Sequence, residues 1–450
     1  MVRASSMHRT LLTLQLAACA SAPTGSESVP EGSPARDVSL TVDEQIHTVV
    51  HVAWTTEVPT TGWVDFGEGV DDHRVEAQEL ATEHQVSLFG LPPDADIEAR
   101  VTTATGEGAE SVGDVETAHT DPWGPGLPNL TLSGEVVSWK GEYVVVSTVV
   151  DPWALILDDQ GRVVWAFQPE VPEGSLLMRV LLTRDGTALL AVIAAHDGEN
   201  DLENHLVRIN LDGSGESILE WPYLDHDITE LPDGTLAGIV KEQRDGLWGD
   251  NIEERRLDGE RVTIYSTWGD AAVPQDSKDA RDGELTHANA LDYDEPSDSY
   301  YINLAIPEFF TRVDHATGRP IWHAYGKSTE FSHPSDDPPL LFSHQFEVLG
   351  DGNFLHFQNG EPGKQSSARE IHLDEEAGTM RSVWSYSADP PLSVAVKGDV
   401  HRFPDGGTSI LWGSAGQLQD VTADGETAWL VELDLGEVFT YFQHVSRLGP

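Results

Sequence analysis

Three histidines of this sequence stand at matching points of a recurring segment: His226 in Leu224-Asp225-His226-Asp227-Ile228, His287 in Leu285-Thr286-His287-Ala288-Asn289, and His344 in Phe342-Ser343-His344-Gln345-Phe346. His226 and His344 each precede by eight residues the glycine of the following turn, Gly234 and Gly352. Imidazole changes charge near neutral pH, so histidines gathered at one point offer a small set of chemistries. One ring attacks an electrophile while another gives or takes the proton. Alternatively, three rings hold zinc with one position open. A lone histidine on a strand usually bonds a neighbouring chain segment. Three in register exceed what packing requires.

The register implies a repeat that positions them. A glycine turn followed by a short strand ending in tryptophan recurs from Gly161 to Trp165, Gly213 to Trp221, Gly259 to Trp268, Gly318 to Trp322, Gly378 to Trp384 and Gly425 to Trp429. Six copies spaced by 45 to 62 residues give each unit room for four short strands and their turns, the content of a propeller blade. Tight turns after a strand recur at Asp185-Gly186, Asp233-Gly234, Asp351-Gly352 and Asp405-Gly406. The apolar residues alternate with period two, which excludes a helical solenoid. The expected fold is all-β, with a six-bladed β-propeller over residues 121–450 whose tryptophans fill the wedges between blades. Equivalent positions on innermost strands surround the central axis, so His226, His287 and His344 should meet at the channel mouth. The matching positions of the second and last blades fall at about Met178 and Gly398, which confines the imidazoles to one side. His401 is turned away from them by strand parity. The polar connection from Lys327 to Leu341 is long enough to cover the mouth.

Residues 37–120 read as a small β-sandwich: short strands at Val38–Val42, His51–Trp54, Gly62–Phe66 and Gln85–Leu88 precede the turn Leu91-Pro92-Pro93. This stretch resembles fibronectin type III modules, with Ile97 where they usually carry a tyrosine. Ahead of it, residues 1–18 have the basic start and apolar run of an export signal, and Leu16-Ala17-Ala18-Cys19 resembles a bacterial lipobox. The expectation is cleavage before Cys19, acylation of that residue, and a flexible spacer over residues 19–36 rich in Ser, Pro, Gly and Glu. The protein is then exported and lipid-anchored, in the periplasm or at the cell surface, touching membrane through the lipid alone. Cys19 is the one cysteine, so no disulfide forms within a monomer. With 26 basic against 77 acidic residues and a formal charge of -51, nucleic acid is excluded as a partner. An anionic substrate needs a local positive site to overcome that field.

The segment His287-Ala288-Asn289-Ala290-Leu291-Asp292-Tyr293-Asp294, then Tyr301-Ile302-Asn303-Leu304, Val313-Asp314, Ser343-His344, Gly352-Asn353 and Gln358-Asn359-Gly360, is similar to the bacterial arylsulfate sulfotransferases. The likeness covers the last three quarters of the chain and is strongest over residues 285–360. It implies sulfuryl transfer from a phenolic sulfate ester to a phenol through a sulfated histidine, without cofactor, nucleotide donor or metal. It makes His344 the nucleophile, His226 and His287 the sulfate-binding and proton-handling pair, and Asn289 a pocket residue. Two positions depart from the family. Its arginine after the His-Ala-Asn strand is replaced here by Ala305, with Arg312 and Lys327 nearby in sequence, and Ser343 stands where a glutamine is usual. Two other readings follow from the same residues: a propeller that binds a ligand or protein at the cell surface, and a zinc hydrolase.

Overall fold

The computed structural model describes residues 32–450 apart from 196–200, 277, 279 and 435. Cys19, the expected export signal and most of the expected spacer lie outside the described residues. The end of that spacer is not free: Ser33 is buried, and its carbonyl accepts a 2.6 Å hydrogen bond from Thr103 Oγ1. A side chain at Gly32 would come within 2.6 Å of the Glu110 carbonyl. The N-terminal β-domain therefore begins before Asp37, because these few residues satisfy and cover its edge.

Strands β1 (Arg36–Val42), β2 (Val50–Gly67), β3 (His73–Leu88), β4 (Asp96–Thr105) and β5 (Glu110–His119) form the first domain. The first half of β2 pairs with β1 and the end of β3, whereas its second half pairs with the start of β3 and with β4, which in turn pairs β5. The long strands thus pass from one layer to the other. Trp54, Val64, Phe66, Leu88 and Ile97 fill the space between.

Six further antiparallel sheets follow. After β6 (Leu130–Gly134), the first sheet holds β7 (Tyr143–Thr148), β8 (Ala154–Asp158) and β9 (Val163–Phe167). The second holds β10 (Ser175–Leu182), β11 (Ala188–Ala195), β12 (His205–Asn210) and β13 (Glu216–Glu220). The third holds β14 (Leu224–Glu230), β15 (Leu236–Arg244), β16 (Leu247–Arg255) and β17 (Arg261–Ser266). The fourth holds β18 (Ala288–Asp294), β19 (Ser299–Leu304), β20 (Phe309–Asp314) and β21 (Arg319–Ala324). The fifth holds β22 (Ser343–Gly350), β23 (Asn353–Gln358), β24 (Ser367–Asp374) and β25 (Thr379–Tyr386). The sixth holds β26 (Asp399–Arg402), β27 (Thr408–Trp412), β28 (Gln417–Val421) and β29 (Thr427–Leu433), with β6 added outside β29. The last strand, β30 (Phe439–Val445), returns to the first sheet and pairs with β7. Innermost strands β30, β10, β14, β18, β22 and β26 each pack on the next, and β26 on β30, which closes a ring. The chain is all-β and propeller-like.

The expected Asp-Gly turns join the innermost strand to the second in four sheets, with their glycines left-handed. The recurring tryptophans lie in or just after the fourth strand out from the axis of each sheet. Four of them bridge neighbouring sheets as buried side chains: Trp165, Trp221, Trp322 and Trp429. Trp165 Nε1–H donates to the Leu211 carbonyl at 3.0 Å, and Trp221 Nε1–H to Glu253 at 2.7 Å. Trp268 and Trp384 are half-buried beneath the guanidinium groups of Arg244 and Arg402. The connection from Lys327 to Leu341 does not cover the mouth. It runs outward, where Asp337 accepts from Arg369 at 3.2 Å and from the Ser382 amide at 2.9 Å, and where Phe331 and Leu340 are buried. An aspartate beside an available arginine and two large apolar side chains gain more against the fifth sheet than over an open channel.

Replacing Trp165 by Ala removes this inter-sheet contact and should cost about 3–5 kcal/mol of unfolding free energy, read by circular dichroism in denaturant. Leu257, 80% exposed, should tolerate the same change within about 0.5 kcal/mol.

Candidate active site

The innermost strands carry register shifts near their starts: at Met178 in β10, His226-Asp227 in β14, Asn289 in β18, His344-Gln345 in β22 and Thr440-Tyr441 in β30. Such bulges re-aim side chains that a regular pleat would send sideways. The backbone is left-handed at His226 (φ 51°), His287 (φ 45°), Phe342 (φ 47°) and Lys397 (φ 62°). These bulky residues pay of order 1 kcal/mol or more for that conformation, and strain of this kind gathers at working sites.

The three histidines do come together. The rings of His226 and His287 meet edge to face with centroids 5.0 Å apart. Phe342 lies against both of the others, 6.0 Å from His287 and 6.1 Å from His344. Asn289 is fully buried beside them, its Nδ2–H donating to the Ser343 carbonyl at 3.0 Å and its Oδ1 without a partner among the described residues. Ser343 donates its hydroxyl to the Phe357 carbonyl, so it holds β22 rather than facing the cluster.

Each ring has its own electrostatic setting. His344 Nδ1 is bonded to Asn359 Oδ1 at 2.5 Å, and Asn359 is oriented by donating its amide to the carbonyls of Val394 and Lys397. Its Nε2 accepts the Lys397 backbone N–H at 3.0 Å. His344 is therefore the neutral Nδ1–H tautomer, and burial, the nearby Lys397 charge and the other imidazoles hold it well below the ordinary histidine range. His226 Nδ1 lies 3.0 Å from Asp225, yet burial dominates and lowers it to about 4. His287 is different. Burial opposes its charge, but the bond from Nδ1 to Glu284 and the nearby carboxylates of Asp225 and Asp250 outweigh it, and the ring is raised above the ordinary range.

Lys241 ties the pair of carboxylates together, 2.8 Å from Asp225 and 3.2 Å from Glu284. Burial works against the charge of Glu284, but His287 and Lys241 bring it down to about 2. The chain His226, Asp225, Lys241, Glu284, His287 is thus one continuous ion network. Sequence reading missed Asp225, Lys241, Glu284, Asn359 and Lys397. For Asp225 and Glu284 a signal existed, since each stands within three residues of a site histidine.

A cavity of about 450 Å³ lies over the cluster, lined by Arg281, Ala305, Glu308, Leu341, Phe342 and Asn359. Phe342 and Asn359 connect it to the cluster, whose histidines do not line it: the Phe342 ring has the Arg281 guanidinium 5.5 Å from its centroid and the rings of His287 and His344 at 6.0 and 6.1 Å. Ala305 brings no charge, and of the two residues considered as its substitute, Arg312 is paired with Glu375 at 2.7 Å, while Lys327 is exposed and its charge acts on Glu308 at the cavity rim rather than lining the cavity. On the opposite side of the cluster the axis is filled by Arg179, 3.3 Å from Asp227 and 3.6 Å from Asp399, with Gln345 bonded to Asp227. His401 lies at that far mouth, 2.9 Å from Glu347, and as expected is not part of the cluster. Among the described residues no group of three His, Cys, Asp or Glu is arranged to hold a metal ion.

No protein-family model matches the chain, and no curated protein matches it. Solved structures resemble it at low identity. A putative 6-phosphogluconolactonase from Bacteroides uniformis is 11% identical at a TM-score of 0.43, covering 68% of this chain and 100% of its own. TolB from Acinetobacter baumannii is 10% identical at 0.42, covering 78% and 82%. A streptogramin B lyase is 14% identical at 0.39, covering 68% and 98%. At these scores the likeness carries no functional argument, and the architecture rests on the strand pairing.

Two pH effects follow. Between about pH 6.5 and 4 the unfolded chain takes up a proton at His226 that the folded one refuses, so stability falls as the solution is acidified, by up to about 3 kcal/mol from this residue. His287 acts in the opposite sense: its contribution is full below the ordinary histidine pKa and is lost as pH rises through its folded value. Glu284→Gln should lower the His287 pKa in an NMR titration by a unit or more, on the order of one lost charged hydrogen bond. An unchanged His287 titration would contradict the network.

Proposed function

We propose that this chain is a six-bladed β-propeller behind a fibronectin III-like module, and that it transfers a sulfuryl group from an aryl sulfate to a phenol through His344. The observation that carries this reading is the opposite setting of two rings in one cluster: His344, oriented by Asn359 and pushed down by burial, and His287, bonded to Glu284 and raised above the ordinary histidine range. In the first half-reaction His344 Nε2 attacks sulfur, the N–S bond forms, and the S–O bond to the aryl group breaks. The departing phenolate takes the proton of His287. Asn359 Oδ1 accepts the Nδ1–H of the sulfated ring, which keeps the positive charge of the N-sulfated imidazole partnered. In the second half-reaction the acceptor phenol gives its proton to His287 as its oxygen attacks sulfur, the N–S bond breaks, and His344 regains its lone pair. The apolar wall of Leu341 and Phe342 suits the aryl ring, and Arg281 suits the sulfate that precedes transfer.

One observation favours a second reading, a binding module without turnover. The attacking lone pair of His344 is occupied by the Lys397 amide, and the cavity-lining Phe342 packs against the rings of His287 and His344. Transfer needs that amide to move from nitrogen to an incoming oxygen and the Phe342 ring to swing aside.

A chromogenic aryl sulfate separates the two. With the purified protein, phenolate should be released only when a phenol acceptor is present, and the donor alone should sulfate one histidine, located by mass spectrometry at His344. His344→Ala should abolish both. Wild-type protein that neither labels nor turns over donor would leave the binding reading.

A further inference from the structure

Lys397 is 6% exposed, and among the described residues no carboxylate lies within ion-pair distance of it. Its Nζ rests 3.6 Å from the Met178 sulfur and 5.0 Å from the Tyr441 ring centroid. The other buried cations around the axis are neutralised: Lys241 by Asp225 and Glu284, Arg179 by Asp227 and Asp399. An ammonium taken out of water without a counter-charge is expensive, and a chamber that holds one is prepared for an anion. Burial lowers Lys397 to about 8, with Asp225 and Asp227 opposing that fall and Arg179 adding to it, so at neutral pH it remains mostly a cation. Its position is tied to the chemistry. The backbone N–H of the same residue meets His344 Nε2 at 3.0 Å, and its charge acts on both His344 and His226.

We infer that the Lys397 ammonium binds the oxygens of the sulfuryl group as it passes to and from His344, supplying from the sixth sheet the positive charge that Ala305 does not bring. This rests on the sulfuryl-transfer reading and adds a charge-stabilising residue to it. The three sulfuryl oxygens carry the negative charge throughout the transfer, and a fixed cation in a dry chamber stabilises them far more than it would in water. The amide N–H, once released by His344, is next to the same oxygens.

The test uses Lys397→Met, which keeps the side-chain length and the amide, and Lys397→Arg, which keeps the charge. Without added anion, Lys397→Met should melt at or above the wild-type temperature, since an unpaired buried charge is removed. Inorganic sulfate, compared with chloride at equal ionic strength, should raise the melting temperature of wild type and Lys397→Arg but not of Lys397→Met. In single-turnover labelling from an aryl sulfate, Lys397→Met should be slowed about 100-fold and Lys397→Arg less. A sulfate response in Lys397→Met equal to that of wild type, or labelling at the wild-type rate, overturns the inference while leaving sulfuryl transfer intact. A sulfate response that depends on Lys397 in a protein that never labels His344 supports the anion site and removes the transfer reading. Absence of both sulfate response and labelling in the wild type ends both.

Discussion

The pairing of β30 with β7 governs the rest of the molecule. It joins Phe439–Val445 to Tyr143–Thr148 across almost the whole of the six-sheet region, with the hydroxyls of Ser147 and Thr440 in contact at its bulge. Without it, the apolar faces of β10 and β26 that pack on β30 would meet water, and the ring of innermost strands would lack its sixth member. The entropic cost of so long a loop grows only with the logarithm of its length, so a single well-buried strand is sufficient to hold the ends. Phe439, Tyr441 and Phe442, all buried, supply that burial.

Closure gives every innermost strand the same view of the axis, and local backbone shape then selects the side chain that uses it. Left-handed residues and bulges recur near the axis in successive sheets, and those leading into the fifth and sixth are held from the sheet before. Asn303 donates to the carbonyls of Ser343 and His344 at 2.7 and 2.8 Å, Asn289 adds a bond to Ser343, and Asn359 fixes the segment that carries Lys397. A buried amide that satisfies two carbonyls resists any rearrangement that would orphan them. His344 is thus positioned by asparagines of the fourth sheet as well as by its own strand.

The charge distribution separates exterior from axis. A chain of formal charge -51 repels anions at long range, whereas inside, with Lys241 and Arg179 neutralised by their carboxylates, Lys397 has no carboxylate at ion-pair distance among the described residues, and Arg281 lines the cavity. Outer charges are screened within a Debye length, and those in the low-dielectric interior are not. A salty medium therefore favours entry of an anion by weakening the outer field and leaving the inner one.

Much of the fold was legible in the residues themselves. Alternating strands, Asp-Gly turns and tryptophans at near-regular spacing are local signals, and they mapped onto innermost turns and fourth strands because each depends only on neighbours a few positions away. The common register of His226, His287 and His344 was legible for the same reason. What surrounds them was not. Lys397 reads in sequence as one more surface charge two residues before a strand, and only the packing of β26 on β22 carries it to His344; Glu284 and Lys241 become a network only once β15 and the approach to β18 are side by side. The connection from Lys327 to Leu341 went to the fifth sheet because Arg369 was there to receive Asp337. Sequence spacing encodes the period of a repeat, but which charges of distant repeats face one another is decided by the closed ring and by what each buried group finds as its partner.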